Sequence, residues 1–425
     1  MKPDRSGWLR EYLEFRKNLM KDIVGEGEEA THPEHSLYRV IQPMGLLYGQ
    51  SVSLANHPDA GDWDERDRMK ILIAESLISS SLVFHNKKLS TPDELSSVIV
   101  QSLENIANFY NKVFPELATP SKTLLGRKRS ALEMAERLLE KRIDTAAEFA
   151  GNFWARFFHN SLFFLDVFIF GQWIHTREDK IVADFFRYER DELRFSVVKI
   201  IAAAAHATKT IELEERRLLE IFLQSTGMSA ERKKEARTLF ERGIEVEEIN
   251  LPDSNSWILR KYFLEMAILT VWADKQVDNL EIGFLQRLAK YLNFTEEDLA
   301  NSMMATEGFM LEHWSELDLL KDKVDIDRVG KTYLDRLVRL TAHHKTRLLK
   351  ETQANEDLMN LLRTARTREL LEPEKERLQV LLLGVLKTIP SFVMISLPQR
   401  FLTLPILMNV LPRNFFAESL TSGNT

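Results

Sequence analysis

Two stretches of the chain, VVKIIAAAAHATKTIELEERRLLEIFLQSTGMSAERKKE and FLEMAILTVWADKQVDNLEIGFLQRLAKYLNFTEEDLAN, align without a gap at an offset of 66 residues. Ala207 falls on Ala273, Ile211 on Val277, Glu215 on Glu281, Leu219 on Leu285, Met228 on Phe294 and Ser229 on Thr295. Each stretch reads as an apolar helix, a short loop, an amphipathic helix, and a Ser or Thr cap that opens a third helix. The spacing predicts a duplicated helical unit, and it limits this part of the chain to helix packed on helix.

The rest of the sequence agrees with that class. Across 425 residues there are 16 Gly and 13 Pro, with 44% hydrophobic and 28% charged residues, a balance of globular helices rather than disorder or sheet. The expected fold is all-α. It divides into an N-terminal helical domain (1–150), a Phe-rich central helix and connector (151–190), tandem helical repeats (191–310) and a C-terminal helical region (311–425). A formal net charge of -7 argues against nonspecific binding to DNA. The absence of cysteine excludes disulfides, thiolate metal sites and cysteine nucleophiles.

The opening MKPDRSGWLREYLEFRKNLMKDIV has no continuous apolar core of an export signal. Instead Trp8, Leu9, Tyr12, Leu13 and Leu19 recur at helical spacing, predicting an amphipathic helix after Ser6-Gly7. Three more amphipathic helices are expected in YRVIQPMGLLYGQSVSLA, DRMKILIAESLISSSLVFH and PDELSSVIVQSLENIANFYNKVF, the last opened by Thr91-Pro92-Asp93-Glu94. FWARFFHNSLFFLDVFIFGQWIH is dense in Phe, but Arg156, His159, Asn160, Asp166 and Gln172 interrupt it, which fits a buried central helix better than a span. The mixed-sign runs EDKIVADFFRYERDELR and TARTRELLEPEKERLQ read as solvated helix faces, with Arg363, Arg366 and Arg368 able to sit against anionic lipid.

Asp274, Asp278 and Glu281 form a carboxylate cluster at a loop between helices, and oxygen-rich clusters suit hard divalent cations. The competing reading is a capping box, in which Asp278 and Glu281 satisfy free amides at a helix start. Asp274 has no such role and is the better ligand candidate. His343 and His344 are adjacent, so their side chains point about 100° apart and do not form a zinc pair on one helix face. No HExxH, phosphate-loop, dinucleotide or nucleophile-elbow motif is present, and the chain is expected not to be an enzyme.

Residues 387–416, KTIPSFVMISLPQRFLTLPILMNVLPRNFF, are apolar yet divided by Pro390, Pro398, Pro405 and Pro412. Thirteen apolar residues between Leu378 and Leu397 favour insertion in lipid by roughly 4–8 kcal/mol. Lys387 opposes that by about 3 kcal/mol, and Gln379, Ser391, Ser396 and Pro390 oppose it further, so hydropathy alone does not place the segment in a membrane. The prolines preclude one straight helix but each can open a short one. Short apolar helices of this kind can re-enter a membrane from one side or cap a helical domain.

Two resemblances follow from these residues. VWADKQVDNLEIGFLQRLAKYLNFTEEDL resembles the TerB-like helical domain, known from tellurite-resistance proteins and from a membrane-anchored co-chaperone. Thr208 stands in the first copy where that pattern has aspartate, which confines any carboxylate-based activity to the second. Lys387, Pro390, Pro398, Pro405, Leu411, Pro412 and Phe416 fill the positions of the membrane segment of the LETM family, here spanning about 377–418. Together with the TerB-like helices and the SGW start, the chain resembles the bacterial LETM-related biofilm-associated proteins. That resemblance implies inner-membrane association, a role in cation and proton homeostasis, and ribosome binding. The missing export signal places the chain in the cytoplasm or at the cytoplasmic face of the inner membrane, and the expected partners are membrane lipid and a protein partner or the ribosome. The expected function is a non-enzymatic, membrane-associated regulatory or docking protein. The alternatives are a cation/proton exchanger or transport accessory, and a soluble structural scaffold whose tail packs on the Phe-rich helix at 153–175.

Overall fold

The computed structural model describes residues 1–16, 33–41, 59, 62–85, 91–123, 126–144, 153–174, 180–208, 211, 213–251, 256–272, 277, 279–314, 326–386, 388–389, 398, 401–412 and 414–421. Among them the regular structure is helical, with a single isolated bridge between Lys122 and Lys128. The all-α expectation holds. The chain forms two compact units, Met1–Ala273 with Val277–Asn293, and Asp274–Gln276 with Phe294–Thr425. The division falls inside the 191–310 region.

The first unit contains α1 (Trp8–Arg16), α2 (Pro33–Ile41), α3 (Glu65–Val83), α4 (Pro92–Val113), α5 (Ala131–Asp144), α6 (Phe153–Trp173), α7 (Lys180–Ala205), α8 (Leu213–Ser225), α9 (Ala230–Arg242), α10 (Trp257–Val271) and α11 (Asn279–Tyr291). Local chemistry sets several of their ends. Thr91 accepts from the Glu94 amide while Glu94 accepts from that of Thr91, and Pro92 supplies the preset first turn of α4. α1 starts at Trp8, as expected, because the Glu136 carboxylate accepts from the Gly7 amide at 2.7 Å and the Leu9 amide at 3.1 Å. Leu19 and residues 42–58 lie outside the described residues. Glu34 of α2 performs a similar task for α10, accepting from Trp257 at 2.6 Å and Ile258 at 3.2 Å.

The Phe-rich helix is the buried centre of this unit. Phe163 and Phe164 of α6 are fully buried, Phe170 packs edge-on against Phe109 of α4, and Phe158 against Phe222 of α8. Phe164 stacks on Tyr262 of α10 at 4.5 Å. Its polar interruptions turn inward too: Asp166 meets Arg142 of α5 and Tyr110 of α4. Two expectations are corrected. α3 is not amphipathic, since Asp67, Lys70 and Glu75 are buried along with its apolar residues, because α2, α4, α5 and α6 surround it. The mixed-sign run in α7 is not wholly solvated, since Phe186, Glu189 and Arg194 are buried.

Helix boundaries recur at the 66-residue offset found in the sequence. α7 ends at Ala205 and α10 at Val271, while α8 and α11 occupy corresponding residues throughout. α9 begins after Ser229, which accepts from the Arg232 amide at 3.2 Å. The first helix of the second unit, α12 (Glu296–Glu312), begins after Thr295, which accepts from the Asp298 amide at 3.1 Å.

The second unit continues with α13 (Ile326–His343), α14 (Lys345–Ala354), α15 (Glu356–Thr367), α16 (Glu372–Leu386), α17 (Leu404–Val410) and α18 (Phe415–Thr421). Its core joins Tyr333, Leu337, Leu348, Leu382 and Leu386 to Phe401, Leu407, Val410 and Phe415 of the proline-punctuated tail. α17 packs on α13 and α16, and α18 on α14. The Thr341 hydroxyl donates to the Val410 carbonyl, an orphan acceptor at the end of α17.

Candidate docking cleft

α7 ends at Ala205, and His206 follows it. α9 ends at Arg242, and its cap Gly243 has φ 78° and ψ 168°, a conformation almost confined to glycine. A Cβ at this position would lie 2.8 Å from His206 Nδ1. Glycine therefore permits both the turn and the close approach of the imidazole. His206 Nε2 lies 2.6 Å from the Phe240 carbonyl, so Nε2 carries the proton and donates, leaving Nδ1 as an acceptor in the neutral ring.

These two helix ends and α11 enclose a cleft of about 400 Å³. Ala203 and Phe284 give it apolar walls, while Arg242, Glu245, Glu248 and Arg287 line it with charge. The Tyr291 hydroxyl donates to the Ile249 carbonyl at 2.5 Å, fastening α11 to the short turn Val246–Glu248 that forms the rim. All four charged side chains are exposed, and among the described residues none of them forms an ion pair or a side-chain hydrogen bond. Charges of both signs thus face one concavity without neutralising one another.

Across Arg242 and Ile244 lies a second, wider groove of about 630 Å³ between α7 and α9. Phe195 forms its base. The Arg232 guanidinium sits 3.9 Å over that ring and pairs with Glu192 and, at 2.6 Å, with Glu235. Lys199 approaches the same ring at 5.8 Å and donates to the Asn250 carbonyl at 3.0 Å. Burial lowers the Lys199 pKa; Arg232 adds to that, and Glu192 and Glu235 offset part of it.

Of the carboxylates singled out in the sequence, Glu281 is described, and it does not line this cleft. Asp274 and Asp278 lie outside the described residues. Glu281 is buried in the first turn of α11, and its counterpart Glu215 is buried in α8, at 3% and 4% exposure. That equivalence gives the two glutamates the same place in their helices. Among the described residues no three potential ligands gather around a metal position.

In the tail, Lys387 and Pro390 lie outside the described residues. Pro398 is buried, and its carbonyl accepts from the Phe401 amide at 2.8 Å. Pro405 occupies the first turn of α17, as its missing donor favours. The Pro412 carbonyl accepts from the Phe415 amide at 3.0 Å, and Phe416 packs half-buried against the core. Among the described residues no helix is long and apolar enough to cross a membrane.

No family model matches the chain, and no solved structure matches it. Over 129 residues it is 27% identical to the co-chaperone protein DjlA of Vibrio cholerae serotype O1, a stretch covering 28% of this chain and 45% of that protein. The likeness thus spans less than half of the relative's length.

Proposed function

We propose that the chain is a non-enzymatic helical docking protein of LETM-like type that works at the cytoplasmic face of the inner membrane and receives a protein partner in the cleft between α7, α9 and α11. The observation that carries the docking role is the set of Arg242, Arg287, Glu245 and Glu248, which line one concavity without partners among the described residues. Unpaired charges of both signs set the register and orientation of a partner more than its affinity. The partial likeness to a protein described as a co-chaperone is in keeping with a role in binding other proteins.

The membrane part of the reading rests on the resemblance of the proline-spaced tail. Most of its described apolar residues belong to the core of the second unit, so attachment would be peripheral, or made by Leu371, Val380 and Met408, which remain exposed. Fractionation of the full chain tests it. The expected result is protein in the membrane pellet at low salt that is released by alkaline carbonate; a chain that stays in the supernatant with intact membranes overturns the membrane role. Docking is tested separately by Arg242→Glu with Arg287→Glu. Site-directed crosslinks from the Glu245–Glu248 rim to a cellular protein should be lost in that variant, and their persistence would remove the cleft as the docking site.

A further inference from the structure

We infer that the groove between α7 and α9 is an acylation site, in which an acyl phosphate seats its phosphate against Lys234 and Arg242 and transfers its acyl group to Lys199. The first support is the surroundings of the amine. Several withdrawn lysines have a carboxylate in ion-pair range, Lys70 with Asp67 at 3.1 Å, Lys345 with Glu418 at 2.7 Å and Lys375 with Glu372 at 2.9 Å, whereas half-buried Lys141 is held by the Leu117 and Ala118 carbonyls. Lys199 is half-buried and is held by a neutral acceptor, the Asn250 carbonyl at 3.0 Å. A carbonyl orients the amine without stabilising its charge as a carboxylate does. Burial favours the neutral, nucleophilic form, and the Arg232 cation over the same Phe195 ring adds to it, while Glu192 and Glu235 offset part of the shift.

The second support is the groove itself. Lys234 and Arg242 line it, and among the described residues neither makes an ion pair or a side-chain hydrogen bond. Of the carboxylates that share the lining, Glu235 is engaged by Arg232 at 2.6 Å, leaving Glu231 as the opposing charge. A dianionic phosphate therefore meets two cations that have no partner among the described residues, beside a partly desolvated amine, with about 630 Å³ to occupy. Guanidinium and ammonium donors are the usual phosphate partners.

In the transfer, the Lys199 Nζ lone pair attacks the carbonyl carbon of the acyl phosphate. The carbon–oxygen bond to phosphorus breaks, inorganic phosphate leaves with both electrons, and one amine proton passes to solvent, giving a neutral amide. No oxidant or reductant takes part. The product removes one positive charge from a groove that shares Arg242 and Ile244 with the neighbouring cleft.

The test is incubation of the folded full chain with acetyl phosphate at neutral pH, followed by peptide mapping by mass spectrometry. The initial rate at Lys199 is expected to be several times that at Lys290 and Lys350, which are exposed on other helices. Excess inorganic phosphate should slow acetylation at Lys199 and leave Lys290 and Lys350 unchanged. Lys234→Gln with Arg242→Gln should remove the advantage of Lys199 while the far-ultraviolet circular dichroism and Tm stay those of the parent. Equal rates at all three lysines, or an advantage that survives both the phosphate competitor and the double substitution, would overturn the inference. Acetylation in urea serves as the reference, where the three lysines should react alike.

Discussion

Arg142 and Asp166 form an ion pair in the interior of the first unit, Nε to Oδ2 at 2.7 Å, with side-chain exposures of 7% and 2%. The Tyr110 hydroxyl donates to the same carboxylate at 3.2 Å, and Phe163 lies 4.4 Å below the guanidinium. Burial works against the charge on Arg142, but Asp166 outweighs it and holds the pKa above the ordinary value. Removing either partner strands the other charge. Arg142→Leu and Asp166→Asn should each lower stability by about 3–5 kcal/mol, whereas Arg142→Met with Asp166→Leu should recover much of that loss. Six of the seven tryptophans lie before residue 294, so urea unfolding followed by tryptophan fluorescence reports this unit. Single variants within about 1 kcal/mol of the parent would mean that the pair contributes little.

His159, two turns before Asp166 on the same face of α6, predicts the acid limb of stability. Burial lowers its pKa first, and the Arg142 and Arg194 charges lower it further, to about 3. The unfolded value is about 6.5. Between the two the unfolded chain binds one more proton than the folded chain, so stability is present above the upper value and is lost as pH falls through the window. The slope is about 1.4 kcal/mol per pH unit at its steepest. Urea midpoints taken at intervals from pH 7 to pH 4 should fall less steeply in His159→Gln than in the parent. Parallel curves would show that carboxylates alone set the acid limb.

Much of this fold was legible because its signals are local. Thr91-Pro92-Asp93-Glu94 announces a helix start by side chains within four residues, and the structure has that capping box. The 66-residue offset likewise carried helix ends at 205 and 271 and caps at 229 and 295, each a short-range choice repeated. Asp166 was visible as an oddity in an aromatic helix, but its partner stands 24 residues away on another helix, and no spacing rule links them. The cleft is not legible in the sequence for the same reason. His206 and Gly243 meet only because α7 and α9 pack together, and Arg287 joins them from a third helix. The one local hint was a glycine after Arg242, at a place where a helix ends.

Gly243 and Gly283 should respond in opposite directions to the same substitution. Gly243→Ala places a Cβ 2.8 Å from the His206 ring and asks alanine for φ 78°. A loss of at least about 1–3 kcal/mol is expected, with rearrangement of the cleft. Gly283 lies within α11 with nothing within 4 Å of its added Cβ, so Gly283→Ala should gain about 0.5–1 kcal/mol through helix propensity. Thermal melts of the two variants against the parent distinguish these outcomes. A Gly243→Ala protein as stable as the parent would show that the turn relaxes away from the imidazole.

The tail of the second unit is held by apolar burial more than by charge, and two substitutions separate the contributions. α17 and α18 have seven residues each, too short to persist alone in water, so their order depends on what they cover. Phe401 is buried, stacks on Tyr333 at 5.7 Å, and reaches a space left by Gly330, where a Cβ would come within 3.2 Å of the ring. Phe401→Ala empties that space and should destabilise the unit by about 3–5 kcal/mol. Lys345 also ties the tail down, through Glu418 at 2.7 Å, but both side chains are a third or more exposed. Lys345→Ala should therefore change stability by less than about 1 kcal/mol. Hydrogen exchange of residues 404–421 reads the difference directly: protection should fall steeply in Phe401→Ala and stay near the parent in Lys345→Ala. The reverse order would make the ion pair the tail's main fastening and leave its apolar residues free for another surface.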